Sequence, residues 1–388
     1  MSKGRVLMIS GNGPDHPCGI SHYTERLLRQ LSTDDYPNTQ FVWLSRRFRL
    51  KQIPVARQSE HVVQVRPWHT WRPTSWRLAG GLMQAWRPQV VHIQDEIHSF
   101  HETRAAVELA RQAKRAGAGV IVTLHEYHTE LPSVRYTDEL VALADSIIVQ
   151  DARNGLRCRD RTGKEPAAVG WSPANIDPPP SQVATIPQRL VTFGLIGRGK
   201  GLEVVHSALK LLKSRYVDLT WHIMGPFDPV QNDYHRELKA CFAEPWIVFT
   251  GGGTKELSEL SFRTAIASAS AMILPFADGC SPRRTTLQAA WSFGLPTVTT
   301  SPEVDEPDIR SGDNCSLVPG CGTVAEQVAA WETAIEQVLA SASYREQLSS
   351  GSRTAARFHS WQRLGAQHSS IYSEWINASA AHRSGPGG

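Results

Sequence analysis

The order strand, glycine-containing turn, helix runs through this chain twice, and a proline-rich break separates the two runs. In the first run Val6–Ser10 is an apolar strand, glycines 11, 13 and 19 form the turn, and Ile20–Leu31 has helical spacing through Ile20, Tyr23, Leu27, Leu28 and Leu31. Phe41–Leu44, Val62–Val65, Gln89–Gln94, Val120–Leu124 and Ser146–Gln150 read as further strands, with helices at His101–Arg115 and Thr137–Ala144. The segment DPPPSQVATIPQ after Ile176 has no periodicity and reads as a linker. The pattern then restarts. Strand Leu190–Leu195 leads through Gly197–Gly201 into helix Leu202–Leu212, and strand Leu219–Met224 ends at Gly225. Strand Ile247–Thr250 ends in Gly251–Gly253 and is followed by helix Glu256–Ala269. Strand Ala271–Pro275, helix Arg283–Phe293 and strand Thr297–Thr300 complete the run. Helices Val324–Leu339, Tyr344–Phe358 and Trp361–Ile376 close the chain. Alternation of this kind builds parallel sheets, so the fold class is α/β with two Rossmann-like βαβ domains. The expected boundaries are 1–177, a linker at 178–188, 189–357, a C-terminal helix at 358–377 crossing back to the N-terminal domain, and a disordered tail at 378–388.

At 388 residues, each half is long enough for its own core. No apolar run is long enough to span a bilayer, and MSKGRVLMISGNG reads as a first strand rather than a signal peptide, so a cytoplasmic location is expected. The six cysteines are scattered without a CxxC pair, which argues against a disulfide framework and a structural zinc site. A net charge of +4 is too mild to imply nucleic acid. Residues 43–88 are locally basic: nine Lys/Arg, including Arg49 and Lys51, face the single acid Glu60, with Trp43, Trp68, Trp71, Trp76 and Trp86 interleaved. Two readings stand. Either this is a surface for an anionic acceptor, a peripheral contact with the inner membrane surface or a surface for nucleic acid, or the tryptophans are core and the arginines solvated, as burial preferences favour.

In a parallel sheet the carboxyl ends of the strands form the ligand crevice. That places Asp95, Glu96, His125 and Glu126 on a functional rim, or leaves them as structural pairs. The first glycine turn is too long for the dinucleotide fingerprint. The turn at Ala277–Pro282, ahead of a helix start, is a candidate anion site, because unpaired N–H groups and the helix dipole converge there with Arg283 and Arg284 alongside. The alternative is an ordinary βαβ unit with a solvated basic turn.

Seven segments in order, PCGISHYTERLL, RPQVVHIQDE, VIVTLHEY, ADSIIVQD, FGLIGRGKGLEVVHSAL, MILPFADGCSPRRTTLQAAWSFGLPTVTT and the tail FHSWQRLGAQHSSIYSEW, resemble glycosyltransferase family 4 of the GT-B fold over nearly the whole chain. The resemblance implies two Rossmann-like domains facing a central cleft and a retaining transfer of sugar from a nucleotide-diphosphate donor to a small-molecule, glycan or lipid-linked hydroxyl. It also implies front-face attack assisted by the leaving phosphate, with no protein nucleophile and no metal or cofactor beyond the donor. Carried over by position, it gives Gly19 a place at the donor diphosphate and His125 a contact with the transferred sugar. It makes Arg198 and Lys200 the neutralising basic pair, although the family arginine usually lies further from the lysine. Gly197, Gly225, Gly279, Cys280, Ser281, Arg284 and Gln288 fall on the donor side; Asp95, Glu96 and Glu126 are acceptor candidates. The chain departs from the family at the two glutamates eight positions apart, whose places are held by Ser281 and Ala289, with Gln288 as the neighbouring substitute for a ribose contact. This points to a sub-branch without the pair. Two rival functions follow from the same residues: a sugar-nucleotide epimerase of this fold using Asp95, Glu96 and Glu126, and a non-catalytic sugar-nucleotide or glycan-binding subunit.

Overall fold

The computed structural model describes residues 4–14, 18–33, 38–47, 55–100, 103–130, 133–251 and 258–383. Arg49, Lys51, His101, Gly252, Gly253, Glu256 and residues 384–388 lie outside them. The chain divides into two compact units, Met1–Trp171 with Trp361–Gly388, and Ser172–Ser360.

The first unit holds strands β1 (Gly4–Asn12), β2 (Thr39–Arg46), β3 (Val55–Arg57), β4 (Val62–Val65), β5 (Val90–Asp95), β6 (Gly119–Leu124), β7 (Ser146–Val149) and β8 (Ala168–Val169). Its helices are α1 (Gly19–Leu31), α2 (Pro73–Trp86), α3 (Ala105–Arg115), α4 (Ser133–Leu143) and α5 (Ala152–Thr162). The sheet order is β3-β4-β2-β1-β5-β6-β7-β8, parallel except for β3 against β4. Alternate residues of β1 enter opposite faces, Leu7 and Ile9 one core, Val6 and Met8 the other. Helices on both faces explain why the central strands are apolar throughout.

The second unit holds β9 (Arg189–Phe193), β10 (Thr220–Met224), β11 (Ile247–Thr250), β12 (Ala271–Leu274), β13 (Thr297–Thr300) and β14 (Ser316–Val318) in the parallel order β11-β10-β9-β12-β13-β14. Its helices are α6 (Leu202–Lys213), α7 (Asp233–Cys241), α8 (Glu259–Ala267), α9 (Thr285–Ser292), α10 (Val324–Ala340) and α11 (Ala342–Phe358). Leu190 and Ile273 face one core, Val191, Met272 and Leu274 the other.

The last helix, α12 (Trp361–Arg383), belongs to the first unit, where it packs on α1, β1 and β5. Leu364, Ile371 and Tyr372 are buried there. Two glycines make room for it. A Cβ on Gly119 would sit 2.7 Å from the Trp375 ring, and one on Gly4 would sit 2.6 Å from Ile376. The helix continues through 378–383, part of the stretch for which a disordered tail was expected.

The basic, tryptophan-rich region resolves mainly toward core packing. Trp43 is buried in the core on one face of the sheet and Trp71 in the core on the other, where Trp68, Trp76 and Trp86 pack half-buried. Arg72, Arg77 and Arg87 are exposed. Among the described residues no helix is long and apolar enough to cross a membrane.

Candidate functional site

In each sheet the first strand is flanked by strands whose connections leave in opposite directions, and this switch point opens a crevice at the carboxyl ends. In the second unit it falls between β9 and β12, so the loops 194–201 and 275–284 border the same crevice. A recess there is lined by Phe193, Gly194, Leu195, Lys200, Phe276 and Thr286.

The cations of the two loops converge on Phe276. The Lys200 ammonium lies 5.6 Å and the Arg284 guanidinium 4.9 Å from the ring centroid. Arg283 and Arg284 both pair with Asp278, and both are largely buried. Among the described residues no carboxylate pairs with Lys200. Burial, and then the charge of Arg284, holds the Lys200 pKa below its ordinary value, with Asp278 opposing and Arg283 adding. Lys200 therefore lines the recess, and the two arginines tied to Asp278 stand beside it.

Helix capping points to the same place. In this unit α7, α8, α10 and α11 begin with Asn232, Ser258, Thr323 and Ser341, whose side chains accept a first-turn N–H. The helices α6 and α9, which follow the two switch-point strands, begin at Gly201 and Arg284 without a side-chain cap. The first turn of α9 carries no acidic residue, so its N–H groups and dipole remain available to an anion.

The donor-side residues separate on inspection. Gly279 adopts φ +76°, and a Cβ there would meet the Glu303 nitrogen and Ser301 carbonyl oxygen at 2.8 Å, so the tight turn itself requires glycine. The Gly279 N–H is given to the Phe276 carbonyl at 3.1 Å and the Cys280 N–H to Thr300 at 3.4 Å. These two N–H groups serve the turn, whereas the expectation gave them to the ligand. The Cys280 thiol is buried and pushed up to about 12, mainly by burial, which keeps it neutral. Ser281 is buried, and its carbonyl accepts the Arg284 N–H at 3.0 Å. Gln288 is buried and reaches inward; its amide donates to the Pro282 carbonyl at 3.0 Å and meets His359 Nδ1 at 2.9 Å, while His359 Nε2 lies 3.1 Å from Asp308. The amide therefore braces the arginine turn from behind. Arg198 points away from the cluster, paired with Glu237 at 2.7 and 2.8 Å and stacked on Tyr234 at 4.9 Å. Lys200 is thus grouped with Arg283 and Arg284, and the expected pairing with Arg198 is not what the structure brings together. Gly197 accepts the Lys200 N–H at 3.3 Å, and Gly225, behind the crevice, donates to Thr250 at 3.0 Å. Phe276 and Asp278, which position the cations, carried no sequence signal beyond their place in the turn.

In the first unit the switch point lies between β1 and β5. Gly19 opens α1, whose N-terminus likewise has no side-chain cap and no first-turn acid. His125 follows β6, donating its N–H to the Asp95 carbonyl at 3.1 Å; its Nε2 lies 2.9 Å from Gln94 Oε1, and the Tyr23 ring stands edge-on at 4.9 Å. Burial, and then His368, lowers its pKa to about 3, so the ring is neutral at physiological pH. Asp95 lies behind the rim, fully buried, accepting from the Tyr136 hydroxyl at 2.7 Å; burial raises it to about 7. Glu96 accepts the Ser99 N–H at 2.9 Å and lies 3.8 Å from His98 and 3.7 Å from His128. Glu126 pairs with Arg157 at 3.4 Å and Arg153 at 3.5 Å. Among the described residues no group of three His, Cys, Asp or Glu side chains is arranged to hold a metal ion.

Residues 187–341, which contain Lys200, Arg283 and Arg284, match the family model described as glycosyl transferases group 1. Comparison with curated proteins gives no match. Among solved structures, sucrose-phosphate synthase from Thermosynechococcus elongatus is similar at 13% identity, covering 97% of this chain and 100% of that one, with a TM-score of 0.76. Anabaena HepE in complex with UDP and glucose is similar at 15% identity, with 96% and 100% covered and a TM-score of 0.69. An E. coli trehalose-6-phosphate structure bound with UDP-2-fluoro glucose is similar at 11% identity, with 95% and 99% covered and a TM-score of 0.64. These likenesses establish the fold, which is GT-B.

Proposed function

We propose that the protein is a retaining glycosyltransferase that takes its sugar from a nucleoside-diphosphate sugar, with the C-terminal unit holding the diphosphate. The observation that carries this reading is the convergence of Lys200 and Arg284 on Phe276 beside the uncapped N-terminus of α9, with Arg283 on the same Asp278 as Arg284. That cluster lies inside the segment matching glycosyl transferases group 1. Cleavage of a sugar–diphosphate bond leaves negative charge on the departing phosphate. Cations and N–H groups already in place stabilise that charge without reorganising in the transition state. Lys200, for which no carboxylate partner is found among the described residues, suits an anionic diphosphate, and the similar solved structures named with UDP support uridine as the first base to try.

The test is a panel of nucleotide sugars, following release of nucleoside diphosphate with sugar and glycan acceptors present and absent. Turnover is expected to depend on the acceptor, with the anomeric configuration retained in the product. Lys200→Ala should lower kcat by ~100-fold or more, the usual scale for one charge-stabilising donor. An unchanged kcat in a folded Lys200→Ala variant contradicts the placement. Isomerised donor without acceptor would instead mark an epimerase.

A further inference from the structure

Behind His125 runs a chain of buried polar side chains that the proposed chemistry does not otherwise use. Gln94 and His92 sit on β5 with no exposed surface. The Gln94 carbonyl oxygen faces His125 Nε2 at 2.9 Å, and its amide nitrogen faces Met8 Sδ at 3.4 Å and His92 Nε2 at 3.3 Å. His92 in turn lies 2.8 Å from Thr123 Oγ1 and 2.6 Å from the Tyr372 hydroxyl, and the His368 ring lies 5.6 Å from it. Tyr372 and His368 come from α12, so the last helix of the chain closes this network.

The orientation of the Gln94 amide follows from what surrounds it. The amide nitrogen faces Met8 Sδ and His92 Nε2, and a thioether sulfur only accepts, which favours the NH2 group, a donor, on this side. The carbonyl then faces His125, and a carbonyl only accepts. The ring nitrogen opposite it must carry the proton, and a neutral imidazole with Nε2–H has a lone pair on Nδ1. The Tyr23 ring meets the His125 ring edge-on, with centroids 4.9 Å apart. Tyr23 is itself fixed, its hydroxyl accepting from Gln150 at 3.3 Å. Nδ1 has no hydrogen-bond partner among the described residues and is not one of the buried unpartnered atoms, so it opens to the surface at the carboxyl edge of the sheet.

We propose that Gln94 is a positioning residue that locks His125 as the Nε2–H tautomer, so that Nδ1 accepts a hydrogen bond from a ligand hydroxyl. The inference rests on the transferase reading for the identity of that ligand, a sugar or acceptor hydroxyl, but the tautomer itself does not. A partner that only accepts, such as a phosphate oxygen, finds no proton at Nδ1. The site therefore selects an O–H donor at this point and disfavours an anion.

The experiment uses the full chain labelled with 15N at histidine, with the His125 signals assigned by their loss in His125→Ala. Long-range proton–nitrogen correlation at neutral pH reads the tautomer directly. Expected in the unsubstituted protein is a protonated Nε2 and an unprotonated Nδ1 for His125; a protonated Nδ1 overturns the proposal. In Gln94→Leu the two tautomers should both be populated, and in Gln94→Glu the added carboxylate should charge the ring and move its titration upward. A folded Gln94→Leu variant that keeps the single tautomer also overturns it. If Gln94→Leu does not fold, Gln94→Glu and the unsubstituted spectrum still decide. With an accepted nucleotide sugar, Gln94→Leu should lower kcat by ~10-fold or more, the scale seen when the partner orienting a functional histidine is removed, while donor KM stays unchanged. Absence of turnover with every nucleotide sugar would refute the transferase reading while leaving the tautomer measurement intact.

Discussion

His92, His125 and His368 share one cluster in the N-terminal unit, and burial, the first cause in each case, lowers all three: His125 to about 3, His368 to about 4 and His92 well below its ordinary value. On unfolding each regains a pKa near ~6.5. Below that value the unfolded chain binds protons that the folded chain refuses, so stability falls as pH falls from about 6.5 towards 4. Asp95 opposes this. Its pKa is raised to about 7, so its contribution is full below the ordinary carboxylate value and is lost as pH rises through 7. Three protons against one leave a net uptake of about two on unfolding in this window. The melting temperature should therefore drop between pH 7 and pH 5; a flat or rising profile would show that these histidines are not neutral in the fold. At this scale the sequence was legible where a residue faces outward from a turn. Arg284 and His125 stood out by their places after strands, and Lys200 through the family resemblance. Gln94 was not singled out, because a glutamine at the end of an apolar strand looks like the strand's last polar residue. Gln288 and Ser281 were misleading for the opposite reason: their positions suggested a ligand, but tertiary packing turned them into supports for the loop.

At the scale of elements, the positions of missing caps carry functional information. Four helices of the C-terminal unit spend a polar side chain on their first turn, and the two bordering the switch point do not. The strands were readable because buried parallel strands are continuously apolar. Helices α2, α5 and α7 were not. α2 has arginines and tryptophans where an amphipathic stripe would be expected, and the strongly polar α5 and the short α7 each carry few apolar residues to mark a buried face. Strand β14 is only three residues long. Docking of α12 gives a test of packing at this scale. Gly119→Ala places a methyl 2.7 Å from the Trp375 ring and should cost about 1–3 kcal/mol, the usual range for overpacking. Stability measured by chemical denaturation should be partly restored by Trp375→Leu in the Gly119→Ala background. Strictly additive effects would show that the two side chains do not meet.

At the scale of the whole molecule, the chain builds two α/β units whose switch points carry different chemistry. The C-terminal unit presents fixed positive charge and an open helix N-terminus, suited to a phosphate group. The N-terminal unit presents a neutral histidine held by a buried polar chain, suited to a hydroxyl. The repeated βα order made two such units legible, but the division falls between Trp171 and Ser172, so the proline-rich segment read as a linker belongs to the second unit. Which side chains met within each crevice was not legible, because it depends on loops brought together only by the strand order. The central claim is that Lys200 and Arg284 form a diphosphate site. Calorimetric titration of the full chain with UDP, and with GDP, ADP and dTDP in parallel, tests it most directly. The account predicts saturable binding of one of these nucleotides, weakened by ~10-fold or more in both Lys200→Ala and Arg284→Ala, as expected for loss of a hydrogen bond to a charged group. Binding that is indifferent to both substitutions, or absent for all four nucleotides, would contradict it.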